Sequence, residues 1–238
     1  TVGSNISVKV TFSETVFVDN STGNPKIELE TGSTDDNATY ISGDNSSFLY
    51  FIYTVGTGDN TTNLNYKSNS SLYANGSTIR DNSSNDATLT LPCPTCTPYS
   101  LGTNKGIVID TTGPTALLIT CYESSNTPKN SCADVPPGGH VLVRSSEVGT
   151  AYLVHNSVSV PTTGDNLTSI TGAAPNKRNS VSITSTSDNF TIALTGLLDE
   201  GDVYKVYAAD ALGNLSASTG TGGRSGTGNL GTMSVKFD

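Results

Sequence analysis

Residues 106–120 read GIVIDTTGPTALLIT, and the fold turns on how that stretch divides. Ile107, Val108 and Ile109 form a short β-branched run. Asp110, Thr111, Thr112, Gly113 and Pro114 follow as a cluster of turn residues, and residues 116–120 resume a β-type run. Pro114 has no N–H to give to a sheet ladder and biases Gly113 away from helix, so the break falls there. Strand, hinge, strand at mid-chain predicts one domain before the seam and another after it.

The pattern holds outward in both directions. Ile6, Val8, Val10 and Phe12 alternate with Ser7, Lys9 and Thr11, the period of two that marks a half-buried strand. Val16 and Val18 continue it, and Ile27 and Leu29 alternate with Lys26, Glu28 and Glu30. Further strands are predicted over 39–42, 48–55, 64–67, 87–91 and 106–109. Turn clusters separate them, at 23–25, 43–45, 56–60 and 81–86. After the seam, strands are predicted over 116–122, 140–145, 149–155, 180–184, 190–194 and 203–210. No amphipathic helix of useful length is predicted. Residues 211–214, ALGN, read as a turn, with Gly213 or Asn214 suited to positive φ.

These residues carry a family resemblance. IDTTGPT at the seam resembles the junction between immunoglobulin-like repeats of large bacterial surface adhesins. VKVTFSETVFV (8–18), TYISGD (39–44), FIYTVGTGDN (51–60), DATLTLP (86–92) and GIVID (106–110) are similar to that repeat type. GTAYLV (149–154) and VYAADALGNLS (206–216) resemble a second type. The resemblance implies an all-β chain of two tandem immunoglobulin-like β-sandwich domains, residues 1–112 and 113–218, with a Gly-rich extension over 219–238. It implies a surface role and brings no catalytic residue. It also implies Glu14 and Asp110 as candidate ligands of a structural Ca²⁺, since they match acidic positions of the repeat. The chain departs from antibody domains in having no Trp, so tyrosine and aliphatic side chains must fill both cores.

Composition narrows the partners. A length of 238 residues gives each half enough chain for a sandwich core. A formal charge of −9 argues against nucleic acid or anionic lipid as the main partner. Only 14% of residues are charged, so solubility must come from hydroxyls, amides and attached sugar. No run of about 18 apolar residues exists to span a membrane. No signal peptide is visible, and the chain starts at Thr1 without Met, so removal of an earlier segment is expected.

Cys93, Cys96, Cys121 and Cys132 allow three pairings, and proximity favours Cys93–Cys96 with Cys121–Cys132. The alternative is a zinc knuckle at Cys93 and Cys96, but zinc wants a second close pair or histidines at ligand spacing. Disulfides place the chain in an oxidising compartment, outside the cell.

Eleven of 22 asparagines stand in N-x-S/T sequons: Asn5, Asn20, Asn37, Asn45, Asn60, Asn69, Asn75, Asn82, Asn166, Asn189 and Asn214. With Ser and Thr so frequent, chance gives about six, and the excess points to N-linked glycans dense on the first domain. The bland alternative is an Asn/Thr-rich sequence that is never decorated. Gly226, Gly228 and Gly231 form a GxGxxG that precedes a strand candidate instead of opening a helix, so no dinucleotide site is expected. His140 and His155 are the only histidines; both fall on predicted strands and read as core or rim residues. Tyr73 and Tyr99 are candidates for stacking on sugars.

The two halves start differently. The second opens with a strand at 116–122; the first begins almost at once with the strand at 5–12, which corresponds to a second strand. An edge strand is missing from the first half. At the other end, Met233, Val235 and Phe237 alternate with Ser234 and Lys236 behind a Gly-, Ser- and Thr-rich tether. Lending that strand to the next molecule would complete its sheet and build a filament. The alternatives are closure of its own domain and an unordered tail. The expected function is therefore structural, not enzymatic: a glycosylated protomer of an extracellular filament or adhesin stalk, with copies of itself as partner. A carbohydrate- or protein-binding adhesin module, and an accessory domain of a secreted enzyme, are the alternatives.

Overall fold

The computed structural model describes residues 1–123, 125–129, 138–161, 166–197 and 203–217. The described chain is dominated by antiparallel β-strands and divides into two compact units, Thr1–Thr111 and Thr112–Asp238.

Unit 1 contains β1 (Asn5–Asp19), β2 (Lys26–Glu30), β3 (Asp36–Ser42), β4 (Ser46–Thr54), β5 (Asn65–Tyr66), β6 (Leu72–Tyr73) and β7 (Thr78–Arg80). Their order is β5-β2-β3-β4-β1-β7, with β6 beside β2. β1 is long because it does two jobs. Its first part pairs with β4 from Asn5↔Thr54 to Thr11↔Phe48. The register then shifts between Thr11 and Val16, and Phe17–Asp19 pairs with β7. Such an irregularity bends a strand and redirects it. Ser13 and Glu14, which interrupt the apolar alternation, fall at this bend and are exposed.

The period of two puts Leu49, Phe51 and Tyr53 of β4 fully inside, against Ile27 and Leu29 of β2. Each such side chain contributes about 1.5–3 kcal/mol of burial. Tyr40 and Phe51 meet edge to face at 6.0 Å between ring centroids.

Two predicted strands of unit 1 need correction. Residues 87–91 alternate half-buried with exposed, but they belong to no strand and join no ladder. Residues 106–109 contribute a single isolated bridge, Thr61↔Ile109. Between them lies the short helix α1 (Leu101–Lys105), which the sequence reading missed. Ser100 caps it by accepting from Thr103 N, and Gly106 ends it at φ 56°. β6 and β7 were missed as well; at two and three residues they are too short for alternation to show.

Unit 2 contains β8 (Ala116–Tyr122), β9 (Pro128–Lys129), β10 (His140–Ser145), β11 (Gly149–His155), α2 (Asn166–Thr171), β12 (Arg178–Ile183), β13 (Phe190–Ala193) and β14 (Tyr204–Asp210). They form two sheets, β13-β10-β8-β9 and β12-β11-β14. Both sheets feed one core. Val141, Val143 and Ile192 come from the first, and Leu153, Tyr204 and Val206 from the second. The other face of β11 and β14 is covered too, because Tyr152, Val154 and Tyr207 pack with Ile170 of α2. Burial on both faces explains why these two strands read as continuous apolar runs. Gly149 sits where β11 meets β14, at φ 152°; a Cβ there would lie 2.0 Å from the Ala209 carbonyl oxygen.

One turn occurs in both units. Asp81 Oδ1 accepts from Ser83 N and Asn85 N, each at 2.8 Å, and Asn85 Nδ2 donates to Asp81 Oδ2 at 2.8 Å. Asp210 Oδ1 accepts from Leu212 N at 2.8 Å and Asn214 N at 2.9 Å, and Asn214 Nδ2 donates to Asp210 Oδ2 at 2.7 Å. The next backbone bonds match as well: Ala87 N to Ile79 O at 2.8 Å, and Ser216 N to Ala208 O at 2.7 Å. DNSSN and DALGN thus close the same loop in corresponding places. A short carboxylate that accepts from backbone N–H groups two and four residues on is the physical reason both sequences turn alike.

Candidate binding groove

An apolar groove of about 1120 Å³ opens on unit 1. One wall is the stretch 7–14 of β1, in which every residue lines the groove. A strand that presents inward and outward side chains alike to one cavity is presenting its edge. β1 spends its hydrogen bonds on β4 through the other edge, and among the described residues no strand lies along this one before Phe17. The facing wall is the stretch 85–92, again without a gap. It is pinned near its ends, by Ala87 N to Ile79 O and by Leu91 N to Asn69 O, both at 2.8 Å. Between these pins, Thr88, Leu89 and Thr90 make no backbone hydrogen bond among the described residues. Two open strand edges therefore face one space.

The floor is apolar. Ile27 and Leu29 of β2 lie there with Tyr66 and Leu72. Val8, Val10 and Phe12 flank it from one wall, and Ala87, Leu89 and Leu91 from the other. The Tyr66 hydroxyl donates to Pro92 O at 2.7 Å, which holds the end of the second wall to the floor, and burial raises its pKa. Arg80 Nε pairs with Asp86 Oδ1 at 2.7 Å at the other end of that wall. This pair is exposed and serves mainly to orient the stretch. Leu101 of α1 and Ile107 line the groove with Tyr99, which is 71% exposed. The charged lining is mixed, with Lys9 and Lys105 against Glu14, Asp81 and Asp86. Such a site offers backbone donors and acceptors along its sides and pockets for alternate apolar side chains between them, the requirements of an added strand.

The other expected site residues are dispersed. Cys93 and Cys96 form a disulfide with 5.1 Å between Cα atoms, which removes the zinc alternative at that pair. Cys121 is fully buried in β8 and is disulfide-bonded; the pairing expected with Cys132 lies outside the described residues. So do Met233, Val235 and Phe237. Among the sequons, Asn5, Asn20, Asn45, Asn69, Asn75, Asn82 and Asn189 are exposed, and Asn37, Asn60 and Asn214 are half-buried. Asn166 opens α2, and its side chain lies outside the description. Glu14 is exposed at the bend of β1, and it joins no group of three His, Cys, Asp or Glu side chains within ligand distance among the described residues. Its candidacy for Ca²⁺ therefore rests on the resemblance alone. Asp110 is half-buried at the end of unit 1. His140 stacks on Tyr122 at 4.8 Å, and His155 meets the edge of Tyr204 at 5.2 Å; both belong to unit 2 and neither lines the groove. Among the described residues, no helix is long and apolar enough to cross a membrane.

Sequence reasoning saw the alternation at 87–91 and missed that its backbone would stay open. No protein-family model matches the chain, and no curated protein matches it.

Proposed function

We propose that the chain is a structural protomer of an extracellular, glycan-coated filament or adhesin stalk. In this reading it is built from two immunoglobulin-like β-sandwich domains and associates head to tail with copies of itself. The observation that carries the reading is the groove of unit 1, where the edges at 7–14 and 85–92 face each other over an apolar floor. Exposed strand edges are templates for further pairing, and natural proteins cover or blunt them. Here the edge is backed by a hydrophobic trough, so covering it would gain burial as well as ladder bonds. The matched loops at Asp81 and Asp210 support a repeated domain plan. The disulfide at Cys93–Cys96 supports an oxidising compartment.

Electron microscopy of the purified full chain, with sedimentation over a wide concentration range, tests the reading. Filaments or a ladder of linear oligomers are expected. A chain that stays monomeric at every concentration overturns it. The second reading, a carbohydrate-binding module, is favoured by one observation, the exposed Tyr99 ring at the groove. A monomer that binds glycans on an array, and loses binding in Tyr99→Ala, would be the mark of that module.

A further inference from the structure

We infer that the groove of unit 1 is the seat of one added β-strand, and that its occupant is residues 233–237 of a second copy of this chain. The inference rests on the head-to-tail reading above and specifies its contact.

Length, pattern and bonding support it together. Each wall contributes eight consecutive residues, 7–14 and 85–92, to the lining. At about 3.4 Å per residue the β1 wall runs for about 27 Å, room for a strand of five to eight residues. The terminal stretch 231–238, GTMSVKFD, has eight. As a strand it would put Met233, Val235 and Phe237 on one face and Ser234 and Lys236 on the other. The groove asks for that division: apolar side chains toward Ile27, Leu29 and Leu72, polar ones toward water beside Thr88 and Thr90. The incoming backbone would give partners to the open groups of Thr88, Leu89 and Thr90 and to the free edge of β1. Ten of the thirteen residues from 218 to 230 are Gly, Ser or Thr, the composition of a flexible tether that would let the strand reach another molecule. A strand from one end seated in a groove near the other is a heterologous contact, and repetition of it makes a linear polymer.

Paired cysteines provide the test. Native cysteines leave no free thiol among the described residues, so an introduced pair reports on itself. Thr88→Cys and Thr90→Cys are made in turn in one full-length chain, and Ser234→Cys in another. The two chains are mixed and oxidised, and the products are mapped by mass spectrometry. The expected result is a disulfide between the two different chains, joining position 234 to 88 or 90. Val235→Lys, which puts a charge on the inward face, should lower that yield at least tenfold, and Val148→Lys, at an exposed position of unit 2 that does not line the groove, should leave it unchanged. In a further chain Ser234→Cys is combined with Thr88→Cys or Thr90→Cys; a disulfide that forms only within single molecules of that chain, and persists on dilution, means that the strand closes its own molecule and overturns the inference. Filaments without any cross-link overturn the occupant while the filament reading stands. Neither filaments nor cross-link would end both.

Discussion

The Tyr53 hydroxyl donates to Asp59 Oδ2 at 2.5 Å, and the same oxygen accepts from Gly56 N at 2.6 Å. Tyr53 is fully buried in β4, and Asp59 closes the turn that follows it. Burial is the largest reason the Tyr53 pKa is pushed far above its ordinary value of 10.0; the bond to Asp59 and the charges of Asp59 and Asp36 add to it. A raised tyrosine pKa favours the protonated native state, so its stability contribution is whole below about pH 10 and is lost as pH rises beyond that. Tyr53→Phe should cost about 2 kcal/mol at neutral pH, since a buried carboxylate loses a donor. It should also remove part of the alkaline loss of stability above about pH 10. Urea unfolding at pH 7 and at pH 10.5 compares the two proteins; equal alkaline slopes would refute the assignment.

The Cys93–Cys96 disulfide closes a loop of four residues at the end of the second groove wall. Chain entropy gives such a loop about 2 kcal/mol. The double substitution Cys93→Ser and Cys96→Ser is expected to lower the melting temperature of unit 1 and leave that of unit 2 in place. Calorimetry resolves the two transitions, and an unmoved first transition would contradict the estimate.

Gly149 carries a different constraint. Its backbone is in a region that side chains rarely adopt, and a Cβ would strike the Ala209 carbonyl across the ladder. Gly149→Ala should destabilise unit 2 by about 2–3 kcal/mol, from strain and displaced backbone together. A change below about 0.5 kcal/mol in chemical denaturation would show that the β11–β14 contact gives way more easily than its geometry implies.

The sequons should not be decorated alike. Asn45, Asn69 and Asn82 are exposed, and their side chains make no hydrogen bond among the described residues. Asn60 Nδ2 donates to Gly58 O at 3.0 Å, and Asn214 Nδ2 donates to Asp210 Oδ2 at 2.7 Å, so sugar attached there must displace a turn-forming bond. Occupancy by glycopeptide mass spectrometry is expected to be high at the first three and low at the last two. The reverse order would separate glycosylation from the folded geometry.

The ladders were legible wherever one face meets water. The alternation at 6–12 and 27–29 marked both strand and facing, and the strand predicted over 140–145 matches β10. Unit 2 was equally legible at 116–122 and 149–155, where the predicted bounds match β8 and β11. The groove was legible only in halves. Residues 87–91 carry a strand's pattern, but pairing is a property of two segments, and the pattern of one cannot tell whether its neighbour is there. The Asp81 and Asp210 turns could have been found from the D-x-x-x-N spacing they share. α1 escaped because five residues of LGTNK hold no amphipathic period; Ser100 and Gly106 at its two ends were the usable signal.

β1 runs without interruption from the β4 ladder into the β7 ladder. A single rod shared by both groups of strands denies either one an independent melting step. Slow amide protons on the two sides of its bend should thus be released by one common opening of unit 1, and the bend, with Ser13 and Glu14 facing water, is where that opening would begin to fray.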